Sequence, residues 1–111
     1  MPRLNYLELT VRGTGPAKAF YEQAFGWALT DYGPEYAGGD AGGGELGLRA
    51  DAEGKPPLPG IAVDDLEAAL AAVERLGGEI VVPIFAFPGG RRFHFRDPDG
   101  NELACFRYDE A

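Results

Sequence analysis

RFHFRDPDGNEL (residues 92–103) carries the local pattern that decides the fold of this chain. Before the turn, Phe93 and Phe95 alternate with polar or charged neighbours, which is typical of a strand with one buried face. Within the DPDG turn, the Asp97 side chain can accept hydrogen bonds from turn amides, and Gly100 suits a left-handed conformation. The stretch therefore predicts a β-hairpin, and the first role of its turn motif is structural.

The segment before this hairpin predicts a strand followed by a helix. Residues 60–63 form a short apolar run, and Asp64 with Glu67 three residues later makes a capping-box-like pair. Gly77 and Gly78 are expected to end the helix. The apolar seam of the helix consists of Leu66, Leu70, Val73 and Leu76. Three strand-like segments follow, which are EIVVPIFAF, GRRFHFRD and NELACFRY.

The first half of the chain repeats this order. LNYLELTV (4–11) alternates cleanly, and the next segment suits a helix that starts at Pro16. The residues after this helix form short strand-like pieces between glycine-rich turns. Val11 lies 15 positions before Gly26, and Val63 lies 15 positions before Gly78. This spacing indicates an internal duplication of a βαβββ unit, in which each glycine ends a helix.

Length and composition are those of an ordinary globular domain. The chain has 111 residues, of which 45% are hydrophobic and 25% charged. We predict a single domain over residues 1–111, with module 1 at about 1–50 and module 2 at about 58–111. Residues 51–57 lie in a proline- and glycine-rich stretch and form the predicted linker.

Charge and hydropathy argue against several partners. The net charge of -8 repels phosphate backbones, so we expect no nucleic acid partner. No apolar run approaches the roughly 20 residues of a membrane helix, and the N-terminal stretch lacks a signal-peptide core. The single cysteine, Cys105, cannot form an internal disulfide, which suits a reducing compartment. These features predict a cytoplasmic protein that takes a neutral or cationic small molecule.

Four stretches together resemble the vicinal oxygen chelate superfamily, which includes glyoxalase I, extradiol dioxygenases, fosfomycin-resistance enzymes and bleomycin-resistance proteins. The matching stretches are ELTV, AKAFYEQAFGW, IAVDDLEAALAAVERLGG and GGRRFHFRDPDGNELACF. The resemblance implies an α+β fold of two βαβββ modules, with curled mixed sheets around a cleft and helices outside. It covers nearly the whole chain.

Metal-using members of that superfamily hold a divalent ion with four side chains, one from each of four strands. The resemblance places Tyr6, Leu58 and Ala104 at three of these positions, and Glu45 is the candidate for the fourth. Tyr6, Leu58 and Ala104 offer no carboxylate or imidazole, whereas a divalent cation needs three or more such ligands. We therefore expect no metal and no other cofactor.

Strand alternation, combined with the resemblance, selects the residues that face the cleft. Glu8 lies on a strand whose other face is apolar, and a semi-buried glutamate there could abstract a proton next to a carbonyl. His94 or Arg92 could then stabilise the enolate. Alternatively, Glu8 forms a structural ion pair with Arg92 or Arg96, and His94 is a hydrogen-bonded strand residue. The remaining expected ligand-binding positions are Tyr6, Thr10, Leu58, Glu102, Ala104 and Phe106.

Two classes of function follow from these observations. The first is a glyoxalase/bleomycin-resistance-like protein without the family metal, which binds a small molecule in the cleft between the modules. The second is a metal-independent lyase or isomerase that acts next to a carbonyl with Glu8 as base. A third possibility is an assembly subunit with a vestigial cleft. Edge strands of curled sheets also favour pairing with a second copy, so we expect a homodimer.

Overall fold

The computed structural model describes residues 2–109, so the outermost residues of the two predicted modules, 1, 110 and 111, lie outside the described residues. The chain divides into two compact units. The first unit is Asn5–Leu58, and the second unit runs from Pro59 onward and includes the short segment before Asn5. Leu58 is the last residue of the first unit, whereas module 2 was predicted to begin at about residue 58.

The first unit contains one helix and four strands. Its strands are β1 (Arg3–Val11, which begins in the segment before Asn5), β2 (Thr30–Asp31), β3 (Tyr36–Asp40) and β4 (Glu45–Ala50), and its helix is α1 (Thr14–Phe25). The strand order is β2-β3-β4-β1. The β1 strand runs parallel to β4, and the other neighbouring pairs are antiparallel.

The second unit has the same plan. Its strands are β5 (Leu58–Ala62), β6 (Glu79–Phe87), β7 (Gly90–Arg96) and β8 (Glu102–Tyr108), and its helix is α2 (Leu66–Arg75). The order is β6-β7-β8-β5, with β5 parallel to β8. The other neighbouring pairs are antiparallel. The predicted α+β fold of two βαβββ modules is therefore confirmed.

Each helix covers one face of its own sheet. In the first unit, Leu46 and Leu48 of β4 are buried, and Ala17 and Tyr21 of α1 pack against them. In the second unit, the core is formed by Leu66, Phe93 and Cys105. Burial raises the pKa of the Cys105 thiol to about 11, which keeps it protonated and unreactive. Since strand residues alternate between faces, the neighbours of these core residues along each strand, such as Gly47 and His94, lie on the sheet faces away from the helices.

The DPDG hairpin forms as its sequence predicts. The Asp97 carboxylate accepts from the amides of Asp99 and Asn101, each at 2.9 Å. Gly100 has a φ of 89°, and its amide donates to the Asp97 carbonyl at 2.9 Å. These bonds close the turn between β7 and β8 and fix their register, in which His94 pairs with Ala104.

Helix ends differ from the predictions by a few residues. The α1 helix starts at Thr14, two residues before Pro16, and ends as predicted at Gly26, whose φ is 76°. Asp65 rather than Asp64 caps α2, because its carboxylate accepts from the Ala68 amide at 3.0 Å. Leu76 follows the last helical turn and is 72% exposed, so it does not extend the apolar seam.

Within residues 2–109, neither helix is long and apolar enough to span a membrane.

Replacing Asp65 with alanine tests the assignment of the α2 cap. Asp65→Ala leaves the Ala68 amide without its side-chain acceptor, so we expect the free energy of unfolding to fall by about 1 kcal/mol. Asp65→Ser keeps an acceptor oxygen and is the matched control, which should lose much less. Urea denaturation of both variants measures the difference. Equal losses in the two variants would contradict the capping role.

Candidate functional site

On the face of the first-unit sheet that points away from α1, strand β1 carries a buried charged side chain, Glu8. Leu9 and Val11 pack against the core on the helix side, so Tyr6, Glu8 and Thr10 lie on the opposite face. Glu8 is only 7% exposed. A carboxylate at that depth requires partners that compensate its lost hydration.

Two glycines make room for those partners. Across strands β1, β4 and β3, Glu8 pairs with Gly47, and Gly47 pairs with Gly38. Glu8 is therefore the only one of these three paired residues that has a side chain. A methyl group on Gly47 would collide with the Tyr6 hydroxyl and would lie 2.5 Å from the Tyr36 hydroxyl. The two phenols therefore occupy the space that the glycine leaves open. Both glycines serve close packing inside strands, in the way that strand glycines often do.

Tyr6 and Arg49 both bind the Glu8 carboxylate directly. The Tyr6 hydroxyl donates to Oε1 at 3.0 Å and lies 2.8 Å from the Tyr36 hydroxyl. Arg49 approaches with Nη2 at 3.4 Å from Oε1 and Nε at 3.4 Å from Oε2. The Arg49 guanidinium also lies over the Tyr36 ring, 5.2 Å from its centroid. We call Glu8, Tyr6, Tyr36 and Arg49 the Glu8 cluster.

The protonation states in the Glu8 cluster follow from burial and charge. Burial raises the pKa of the Tyr6 phenol far above its usual range, and the hydrogen bond to Tyr36 and the charge of Glu8 act in the same direction. Burial also raises the pKa of Tyr36. For Arg49, burial opposes the charged form, but the hydrogen bond and charge of Glu8 outweigh it, so its pKa is raised. The cluster thus holds two neutral phenols and a cationic guanidinium.

The second unit places its polar strand residues on the face away from α2. His94 pairs with Ala104, and its Nδ1 lies 3.5 Å from Oε2 of Glu102. Arg96 reaches both Glu79, at 3.3 Å, and Glu102, at 3.8 Å. Glu79, Arg96 and Glu102 thus alternate in charge, and Glu102 orients the His94 imidazole.

Arg92 lies in a different environment from His94. Its guanidinium sits over the rings of Phe85 and Phe87, 5.2 and 5.7 Å from their centroids. Its neighbour across the sheet is Phe106, which is 4% exposed. Cation–π contacts of this kind hold the guanidinium against aromatic rings. Arg92 is therefore packed as part of an aromatic group.

The structure brings some of the predicted site residues together within a unit. Tyr6 and Glu8 are hydrogen-bonded in the first unit, and His94 lies beside Glu102 and Ala104 in the second. Thr10 instead binds the backbone of Lys55, donating to its carbonyl at 3.0 Å and accepting from its amide at 2.8 Å. Leu58 begins β5 and is half-buried.

The residues at the family's metal positions do not fit a metal ion. The side chains of Leu58 and Ala104 have no donor atom, and the Tyr6 hydroxyl is hydrogen-bonded to Glu8. Glu45 is exposed at the start of β4. Across residues 2–109, no group of three or more His, Cys, Asp or Glu side chains is placed to hold a metal. The donor chemistry that a divalent cation needs is missing at these positions.

Sequence analysis missed Arg49, Tyr36 and Gly47. The signal for Arg49 was present, because ELGLRA alternates and therefore puts Glu45, Gly47 and Arg49 on one face. Gly47 lies inside a strand rather than in a turn, so the interpretation of this segment's glycines as turn residues is wrong for it. The structure also pairs Glu8 with Arg49, which sequence analysis had not considered as its partner.

Comparison with known proteins gives a consistent result. A model of the Glyoxalase/Bleomycin resistance protein/Dioxygenase superfamily matches residues 3–105. Putative glyoxylase CFP32 of Mycobacterium tuberculosis (strain CDC 1551 / Oshkosh) is 32% identical over 116 aligned residues, which cover 93% of this chain and 44% of the relative. The chain thus spans less than half the length of that relative.

Solved structures share the fold. The Mn(II)-bound glyoxalase from Novosphingobium aromaticivorans superposes with a TM-score of 0.75 at 24% identity, covering 100% of this chain and 44% of that one. Methylmalonyl-CoA epimerase from Mycobacterium tuberculosis gives 0.77 at 15% identity, covering 96% of this chain and 88% of that one. Together with the family match over residues 3–105, the duplicated βαβββ plan identifies the chain as a member of the Glyoxalase/Bleomycin resistance protein/Dioxygenase superfamily.

Proposed function

We propose that this chain binds a small organic molecule at the Glu8 cluster without the help of a metal. The observation that carries the proposal is the buried Glu8 carboxylate, 7% exposed, with a phenol and a guanidinium bound to it. Ligand sites combine such convergent polar groups with restricted access to water. The poor fit of the family's metal positions supports a mode of binding that depends on these side chains alone.

A neutral ligand fits the cluster better than a cation. The net charge of -8 favours cations in general, but Arg49 already compensates the Glu8 charge within the cluster. A cationic ligand would have to displace the guanidinium or lie beside it. A neutral molecule with hydrogen-bonding groups meets no such repulsion.

The second candidate function is a proton abstraction next to a carbonyl, with Glu8 as base. The Tyr36 hydroxyl, the Tyr6 hydroxyl and the Glu8 carboxylate form a continuous chain of hydrogen-bonded oxygens, with steps of 2.8 and 3.0 Å. In such a reaction Glu8 would accept the proton as a carboxylate and then return it to the substrate from the resulting carboxyl group. A lyase or isomerase is in keeping with relatives that are named as glyoxalase and epimerase.

Glu8→Gln separates the two functions. If Glu8 anchors a binding site, loss of its charge releases Arg49, and affinity should fall about fivefold, or about 1 kcal/mol, with no turnover in either protein. If Glu8 is a base, turnover should fall by roughly 10²–10⁴-fold while affinity changes little. The ligands are the hits of a thermal-shift screen of neutral and cationic organic molecules.

Glu45→Gln is the matched control for this test. It removes a carboxylate from the same sheet face, but from an exposed position at the strand end. Its affinity for the hits should match that of the unmodified protein. If Glu8→Gln also keeps the affinity of the unmodified protein, and neither protein shows any turnover, Glu8 is an ion-pair partner only and both functions are rejected.

Gly47→Ala tests the spatial basis of the site. The added methyl group collides with the phenols, so Tyr6 must move away from Glu8. We expect binding of the hits to be lost and the free energy of unfolding to fall by about 1–3 kcal/mol. Gly44→Ala is the control, because its methyl group would lie 3.7 Å from the Asn5 carbonyl, an ordinary contact. Normal binding in Gly47→Ala would show that the phenol positions do not matter.

We also propose that the chain forms a homodimer. The dimer is not expected to form through the edge strand β6, because Pro83 and two register shifts protect that edge against pairing. Phe20 and Phe25 of α1 are each 61% exposed, and Phe25 stacks on Trp27 with centroids 5.2 Å apart. Exposed aromatic side chains of this kind favour burial against a partner.

Light scattering at micromolar concentration tests the dimer. The expected mass is twice the 11.9 kDa of one chain, and Phe25→Ser should shift it towards the monomer. Lys18→Ser, on the same helix but outside the aromatic group, is the control. A monomer mass for the unmodified protein would refute the proposal.

A further inference from the structure

Arg49 and Glu8 meet through one particular edge of the guanidinium. The contacts are made by Nε, at 3.4 Å, and by Nη2, at 3.4 Å. A guanidinium has a second two-donor edge, between Nη1 and Nη2, because its five N–H groups lie in one plane and point in fixed directions. The geometry around Glu8 therefore leaves the terminal edge of Arg49 for another acceptor.

Two other arginines use that terminal edge for protein carboxylates. Arg91 donates to Glu67 from Nη1 at 2.7 Å and from Nη2 at 3.4 Å. Arg96 likewise contacts acids through Nη1 and Nη2, which reach Glu79 and Glu102. For Arg49, no atom of residues 2–109 accepts a hydrogen bond from Nη1, and 42% of its side chain is exposed.

The open edge of Arg49 is also held in place. Glu8 fixes the guanidinium along one side, and the Tyr36 ring lies below it at 5.2 Å. A donor pair that is already oriented loses less conformational entropy when a ligand binds. Arg49 is therefore preorganised to present two parallel N–H groups to solvent.

We infer that the terminal edge of Arg49 is the recognition element for the ligand, and that it binds the oxygen of a neutral carbonyl group such as a carboxamide. The inference rests on the proposed function and names the class of ligand. The two lone pairs of a carbonyl oxygen match the two N–H groups of the edge.

Charge selects the neutral carbonyl over a carboxylate. The positive charge of Arg49 is already shared with Glu8. A ligand carboxylate would add a second negative charge beside the Glu8 carboxylate, whereas an amide adds none.

Benzamide and benzoate test this inference, since they share a shape and differ in charge. Their binding is followed by NMR of the arginine side-chain N–H groups and of the backbone amides. The Arg49 signal is assigned as the one missing in Arg49→Lys, a variant that keeps the charge but loses the paired donors. Arg91→Lys is the control, because the terminal edge of Arg91 is occupied by Glu67.

We expect benzamide to shift the Arg49 signal and to bind at least about fivefold more tightly than benzoate, which corresponds to one hydrogen-bonded contact. Arg49→Lys should weaken benzamide binding by about the same factor, while Arg91→Lys should leave it unchanged. The thermal stability of each variant without ligand is measured in parallel to establish that it is folded.

Three outcomes would overturn the inference. Equal or tighter binding of benzoate would make Arg49 an anion site. If benzamide shifts the Gly47 and Tyr36 amides but not the Arg49 side chain, the cluster binds ligands without this edge, and the proposed function survives alone. If neither probe shifts any signal of the Glu8 cluster, the cluster does not bind neutral carbonyl compounds, and the inference is rejected for that reason.

Discussion

The buried charge of Glu8 is the constraint on which the polar face of the first unit depends. A carboxylate with 7% exposure is strongly destabilising unless hydrogen bonds and an opposite charge replace its water. Tyr6 and Arg49 fill that role, and Gly47 provides the space that lets the phenols approach. The parallel pairing of β1 with β4 sets the distances, because it aligns Glu8 with Gly47.

In the second unit, the large polar side chain and its small neighbours lie on different strands from those in the first unit. In its equivalent row, β5 and β8 contribute Gly60 and Ala104, and the large side chain, His94, comes from β7. In the first unit the large side chain comes from β1 as Glu8. Each row therefore combines one large polar side chain with small neighbours. The two units thus share the backbone plan and differ in which strand carries the polar group.

The Glu8 cluster includes Tyr6, which the family resemblance places at a metal-ligand position. Tyr6 occupies a position where metal-using relatives carry a ligand, and here its hydroxyl binds Glu8 instead. The Arg49 guanidinium supplies a fixed, monovalent and directional positive charge next to Glu8. Under the proposed function, ligand recognition at this cluster would depend on the hydrogen-bond geometry of these side chains.

Sequence alone determined the features that depend on neighbouring residues. The alternation of LNYLELTV, the DPDG turn and the helix stop at Gly26 are local patterns with local physical causes, so the two βαβββ modules could be predicted. The contact between Glu8 and Arg49 could not, because these residues lie 41 positions apart and meet only through the β1–β4 register. The same holds for Gly47, since glycine suits a turn and a crowded strand equally well, and only the tertiary packing of the phenols around it decides between them.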